Sequence, residues 1–259
     1  MEIEYDKIYY SNNYGPYKCI KETRIPGQKG RAAEIEFINT GYKTVVPFGR
    51  IKKGTVKDIY APVIYNVACI GNASSTHRAH PTWSNMIARC YNPNNTDYYN
   101  YGAKGVRVCS KWLCFEFFLQ DLPYIDGYEN WLNNPGQYQV DKDYKQQGLP
   151  PNKKIYSLET CIFIHKYCNT TLSNKSNHYL GIETLPSGKL RTRCKLGNQK
   201  YELGLFDDEI AAANAYNNFI KYNLKNSKVL LNDVPYMSPE EVMKKNQRKN
   251  KVVCKIIER

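Results

Sequence analysis

Short stretches of alternating polar and apolar residues open the chain: Lys7-Ile-Tyr-Tyr10, Tyr17-Lys-Cys-Ile20, Glu34-Ile-Glu-Phe37 and Tyr42-Lys-Thr-Val-Val46. Period-two runs of this length predict half-buried strands, and Asn39-Thr-Gly41 predicts a hairpin turn between the last two. Residues 1–73 therefore read as a small, mostly β module without a catalytic constellation, suited to contact or docking. Its basic residues Lys52, Lys53 and Lys57 can line a nucleic acid or face water. The polar stretch Asn72-Ala-Ser-Ser-Thr76 reads as a linker.

The period then changes. Trp83, Met86, Ile87 and Cys90 recur at helical spacing within 81–90, which gives one apolar face for a core. An Asn- and Tyr-rich stretch, 91–102, is too polar for a regular core element, and Val106–Leu119 reads as a short strand feeding an aromatic-rich helix. From Gln137 to Asn169 the order is strand, loop, strand, helix: Tyr138-Gln-Val-Asp-Lys-Asp143, a loop with Gly148, Pro150 and Pro151, then Cys161-Ile-Phe-Ile164 and a helical stretch through His165 and Asn169. Three further strands, turning at Leu185-Pro-Ser-Gly188 and Gly197-Asn198, precede an Ala-rich helix that Asp207-Asp-Glu209 opens with dipole-matched carboxylates. Ser238-Pro-Glu-Glu241 is a good helix start for the tail. The fold class expected is α+β and multi-domain, with segments 1–73, 74–172, 173–224 and a basic tail 225–259 that carries a short helix.

Composition narrows the partners. The 259 residues hold 37 Lys plus Arg against 24 Asp plus Glu, a formal charge of +13, which favours polyanions because each cation set against a phosphate releases counterions. Beyond Glu241 there are seven basic residues and the single acid Glu258. Aromatic and aliphatic content is too high for disorder throughout, and there is no glycine period for a fibre. The longest apolar runs are far below a bilayer span and mean hydropathy is −0.63, so no membrane role is expected. Met1-Glu-Ile-Glu-Tyr5 does not read as a signal peptide. Nine cysteines without a CxxC pair suit a reducing cytosol better than a disulfide framework. Cys90, Cys109, Cys114 and Cys161 are the set that a structural Zn²⁺ would need, although buried free thiols are the commoner outcome.

Two sets of motifs point to chemistry. Arg89-Cys-Tyr91, Tyr101-Gly102, Val108-Cys-Ser-Lys-Trp112, Val140-Asp-Lys-Asp143, Tyr156-Ser-Leu-Glu-Thr-Cys161 and Asn169 occur in the order seen in the HNH (ββα-metal) endonucleases of phages and mobile elements, which residues 76–172 resemble. The resemblance implies a Mg²⁺ (or Mn²⁺) held by Asp141 and Asn169, hard oxygen donors for an ion that stabilises charge on a scissile phosphate. It departs at two places. Lys142 stands where relatives carry the histidine that activates water, and an ordinary lysine is protonated at neutral pH. Thr160 stands where many relatives carry a metal-site asparagine. Lys142 is then expected to neutralise phosphate, leaving Asp143, His165, His77, His80 or a metal-bound water as base.

The second set is Tyr179-Leu-Gly-Ile182, Pro186-Ser-Gly-Lys-Leu-Arg-Thr-Arg193, Leu203-Gly-Leu-Phe206 and Glu209-Ile-Ala-Ala-Ala-Asn-Ala-Tyr216. It resembles the plant APETALA/ethylene-response-factor domain, which phage HNH proteins often carry and whose three-stranded sheet lies in the DNA major groove. Alternation alone places Lys189, Arg191, Arg193 and Lys195 on one face of the middle strand and Leu190, Thr192, Cys194 and Leu196 on the other. Arginines on such a face can read guanine, and lysines mainly fix phosphates. Lys200, Lys244, Lys245, Arg248 and Lys249 complete the expected contacts with double-stranded DNA. The combined expectation is a site-specific, homing-type DNA endonuclease of cytoplasmic, phage-encoded origin, with a monomer favoured. The alternative is an HNH-derived protein that kept DNA binding and lost hydrolysis, acting as a regulator or anti-defence factor.

Overall fold

The computed structural model describes residues 3–5, 7–166, 179–196, 199–223 and 231–247. Its elements in chain order are β1 (Ile8–Ser11), β2 (Gly15–Thr23), β3 (Ala32–Phe37), β4 (Lys43–Pro47), α1 (Phe48–Lys53), α2 (His80–Tyr91), β5 (Arg107–Val108), α3 (Phe115–Asp121) and α4 (Tyr128–Asn133). There follow β6 (Tyr138–Asp141), β7 (Ile155–Tyr156), β8 (Ile162–His165), β9 (Ile182–Thr184), β10 (Leu190–Leu196), β11 (Gln199–Phe206), α5 (Glu209–Asn223) and α6 (Pro239–Lys245). The chain is α+β, with one four-stranded and one three-stranded antiparallel sheet and helices. It packs as two compact units, Met1–Ile125 with Gln146–Thr160, and Asp126–Lys145 with Cys161–Arg259.

In the first unit β1 to β4 form a meander whose alternation buries Tyr17, Cys19, Ile35 and Phe37, with Phe48 and Ile51 of α1 closing the same core. The opposite face carries cross-strand pairs, Lys18 with Glu36 at 3.5 Å and Lys21 with Glu34 at 3.2 Å, and Arg31 grips Glu22 through two nitrogens. These carboxylates leave little net charge on the sheet for a polyanion; Lys52, Lys53 and Lys57 remain exposed beyond it.

The boundary expected at 73 is not a break between separate bodies. Cys69 N–H donates to the Leu113 carbonyl at 3.0 Å, and Phe115 N–H to the Cys69 carbonyl at 3.0 Å. Tyr60 hydroxyl donates to Glu116 at 2.9 Å. The helical stripe Trp83, Met86, Ile87 and Cys90 is buried, as its spacing predicts, with Phe115 and Trp112 among the buried aromatics around it.

The second unit contains the β6–β8 antiparallel pair, in register Tyr138↔His165 through Asp141↔Ile162. Trp131 of α4 stacks on Phe163 at 5.0 Å, which fixes the helix against this pair. The expected boundary at 172 lies outside the described residues. Further along, β9, β10 and β11 form the sheet, in the order β11-β10-β9, and Leu190, Cys194, Leu203 and Phe206 pack with Ala211, Ala212, Ala215, Tyr216 and Phe219 of α5. Asp208 caps α5, its carboxylate accepting from the N–H groups of Ile210 and Ala211. Ser238 and Glu241 form a reciprocal capping box on α6.

Between the two helices the chain is held by asparagines. Asn217 Nδ2 donates to the Asn232 carbonyl at 2.9 Å and its Oδ1 accepts from Asn232 N–H at 2.7 Å. The Asn232 side chain in turn bonds both backbone groups of Leu180. Asn214 holds the Pro235 carbonyl and Met237 N–H in the same way.

Candidate functional site

Asp141 ends β6 and is 3% exposed. Its Oδ1 accepts from the backbone N–H groups of Asp143 at 3.0 Å and Tyr144 at 2.8 Å, so the carboxylate ties down the turn that leaves the strand. Among the described residues Oδ2 has no hydrogen-bond partner. Loss of solvation holds the carboxyl above its ordinary pKa, the two N–H donors opposing this. A buried carboxylate with one oxygen anchored and the other uncommitted fits a hard divalent cation. Asn169, the second ligand that the resemblance implies, lies outside the described residues. Among the described residues, no group of three or more His, Cys, Asp and Glu side chains is placed to hold a metal ion.

The neighbours are arranged differently from the expectation. Lys142 does not project as an exposed phosphate clamp: its side chain is 4% exposed and its ammonium meets Asp143 Oδ2 at 2.7 Å. Asp143 is thus the one candidate base adjacent to Asp141 in chain and turn, but it is engaged by Lys142. His165 belongs to β8, not to a helix, and pairs with Tyr138, three positions along the hairpin from Asp141. At a rise of about 3.4 Å per residue that is roughly 10 Å of strand, out of direct reach. Its ring stands edge-on to Tyr138 at 5.2 Å, and burial lowers its pKa. His77 and His80 belong to the first unit and pack edge-on against Phe115.

Thr160 also belongs to the first unit. Its hydroxyl donates to the Ile155 carbonyl at 2.7 Å and accepts from Ser157 N–H at 3.0 Å. With its proton given to one carbonyl and a lone pair to one amide, the group serves the loop after β7, which is a structural reason for threonine there.

The three-stranded sheet carries the basic face. Leu190, Thr192 and Cys194 are buried towards α5, while Arg193 and Lys195 are exposed and Lys189 and Arg191 half-buried on the other side, as alternation predicts; the Leu196 side chain lies outside the described residues. Lys195 is cross-strand partner to Lys200. Two like charges placed directly opposite are unfavourable unless an anion meets them, so this pair costs stability in the isolated protein.

A feature that alternation did not foretell is Glu183 on β9. Its Oε2 accepts from Arg191 Nη2 at 2.7 Å and Nε at 3.2 Å, and also from Arg193 Nη2. The Arg191 hydrogen bond holds the Glu183 carboxyl below its usual pKa. The signal was present, since Glu183 faces Arg191 directly across β9 and β10, but register was needed to read it.

The tail cations divide. Lys244 is exposed, whereas Lys245 is bonded to Asp208 and so links α6 to the start of α5; Arg248 and Lys249 lie outside the described residues. Lys189 bonds Gln247. Asn246 Nδ2 donates to the Leu203 carbonyl at 3.3 Å and its Oδ1 accepts from Leu205 N–H at 3.2 Å, closing the edge of β11 where a bulge offsets its register against β10. No described helix is long and apolar enough to cross a membrane. Comparison with protein-family models, with curated proteins and with solved structures returned no match.

Proposed function

We propose that the chain binds double-stranded DNA through the β9–β11 sheet and cleaves it as a site-specific, metal-dependent endonuclease of the HNH kind. The observation that carries the binding half is the segregation of Arg191, Arg193 and Lys195 on one face of β10, with Lys189 just before the strand and Lys200 opposite Lys195. A rigid sheet that presents arginines at two-residue intervals suits base edges in a major groove, and flanking lysines suit phosphates. The cleavage half is supported by Asp141, buried at the end of a strand pair with one carboxylate oxygen uncommitted. Asp141 and Asn169 would hold a Mg²⁺ or Mn²⁺, whose charge would stabilise the phosphate under attack.

A second reading, DNA binding without hydrolysis, is favoured by the burial of Lys142 against Asp143 and the distance of His165 from Asp141, which together leave no histidine beside the acid among the described residues of the second unit. One experiment separates them. Purified protein is incubated with plasmid and genomic DNA in Mg²⁺ or Mn²⁺, with and without chelator, alongside Asp141→Ala. Chelator-sensitive strand breaks that vanish in the variant, while binding persists, uphold the endonuclease. Binding with no breaks in either metal upholds the second reading, and binding to neither DNA overturns both.

A further inference from the structure

Two cysteines outside the site described above are placed side by side. The segment at Cys69 and Ile70 runs parallel to 113–116, joined by the Cys69 N–H to the Leu113 carbonyl at 3.0 Å, Phe115 N–H to the Cys69 carbonyl at 3.0 Å and Glu116 N–H to the Ile70 carbonyl at 3.2 Å. Cys69 and Cys114 are the paired residues of this bridge. Strand-paired Cα atoms lie about 5 Å apart, inside the roughly 4.4–6.8 Å range that a disulfide spans. Both are free, buried thiols, and each perturbs the other's titration. Gly71 packs so closely that a Cβ there would stand 2.8 Å from Cys114 Sγ.

We propose that Cys69 and Cys114 form a dithiol site that takes two-electron oxidants of the peroxide class and closes to a disulfide. Cys114 is the attacking sulfur, since the neighbouring Cys69 and the backbone at Phe117 and Glu116 favour its thiolate, with burial and the Glu116 carboxylate opposing. The neighbouring Cys114, then burial, with Asp58 adding to them, keep Cys69 protonated. In the first step Cys114 thiolate attacks one peroxide oxygen, forming an S–O bond and breaking O–O; the sulfenic acid forms and the other oxygen leaves as hydroxide, which takes up the proton Cys114 had released and becomes water. In the second, Cys69 sulfur attacks Cys114 sulfur, its proton and the S–OH oxygen leaving as water. The two thiols lose two electrons and one peroxide becomes two waters. At 8% and 6% exposure the two residues admit a molecule as small as hydrogen peroxide more readily than a bulky alkylating agent.

The bridge would join residues about 45 apart in sequence and constrain the unfolded chain accordingly. The test uses the full chain. After treatment with one equivalent of hydrogen peroxide, non-reducing peptide mapping should find the Cys69 and Cys114 peptides linked with the loss of two hydrogens, reversed by dithiothreitol. In Cys69→Ser a sulfenic acid trapped by dimedone should accumulate at Cys114; in Cys114→Ser none should appear at Cys69. Should the serine variants fail to fold, the wild-type map decides alone. Both peptides still fully alkylated after oxidation and denaturation, or either one joined to a different cysteine, overturns the assignment.

Discussion

Asn217→Ala probes the asparagine clamp that carries the basic sheet. The substitution removes two hydrogen bonds of 2.9 and 2.7 Å and leaves the N–H and carbonyl of Asn232 without those partners, in a residue 8% exposed. Each backbone group left unsatisfied in the interior costs about 1–3 kcal/mol. Alanine's better helix propensity returns roughly 0.5 kcal/mol. The expected net loss is about 2–5 kcal/mol, a large share of the roughly 5–15 kcal/mol that ordinarily holds a domain folded. Asn223, on the same helix but exposed, donates only to the Phe219 carbonyl one turn back, so Asn223→Ala should stay within about 0.5 kcal/mol of the parent. Urea unfolding followed by amide exchange in α5 and β10 separates the second unit from the first. If Asn217→Ala and Asn223→Ala are equally stable, water has replaced the lost partners and the clamp does not hold the sheet.

Asp141→Asn should abolish cleavage and yet raise stability at neutral pH. A carboxyl whose folded pKa is raised resists ionisation, so folding is penalised above that pKa, and the penalty fades as pH falls into the ordinary carboxyl range. Urea midpoints at pH 7 and pH 4 check this, and a less stable variant at pH 7 contradicts it. Glu183→Gln should tighten DNA binding and steepen its salt dependence by about one, because a carboxylate that now neutralises Arg191 and Arg193 is gone. Weaker binding in fluorescence anisotropy would instead mean that Glu183 aims the arginines. Truncating Arg191 or Arg193 to Ala should lower discrimination between cognate and scrambled duplexes by about five- to hundredfold, whereas Lys244→Ala should weaken both alike. Equal losses on both duplexes for the arginine variants would place recognition elsewhere.

The strands of both sheets were legible because alternation between buried and exposed faces is strict where one side meets a core, as at Leu190 to Lys195. Helix α2 was legible from spacing, and α5 from its Ala-rich run behind Asp207-Asp-Glu209. His165 was not, because the apolar run before it ends at Ile164 and only pairing with Tyr138 extends the strand. Helix α4 passed unnoticed since six residues are too few to display a period, and its anchor, the stacking of Trp131 on Phe163, is tertiary. Asp141 could be singled out by its motif, but its burial and the pairing of Lys142 with Asp143 depend on how the turn closes. The roles of the α5 asparagines were not legible, because their partners at 232–237 carry no recognisable pattern.

The closure of β11 by Asn246 bears on how this protein behaves at high concentration. A sheet of three strands has two open margins, and an unpaired margin invites a strand from another molecule. The primary amide of Asn246 presents one donor and one acceptor to the backbone at the point where Gly204, at φ 152, bends the strand, and Gln247 N–H adds a bond to the Leu205 carbonyl. The beginning of the basic tail thus acts as a guard against strand-to-strand assembly before any cation in it meets a phosphate. A chain ending ahead of residue 246 would expose that margin and form concentration-dependent oligomers, even if the basic face of the sheet were untouched.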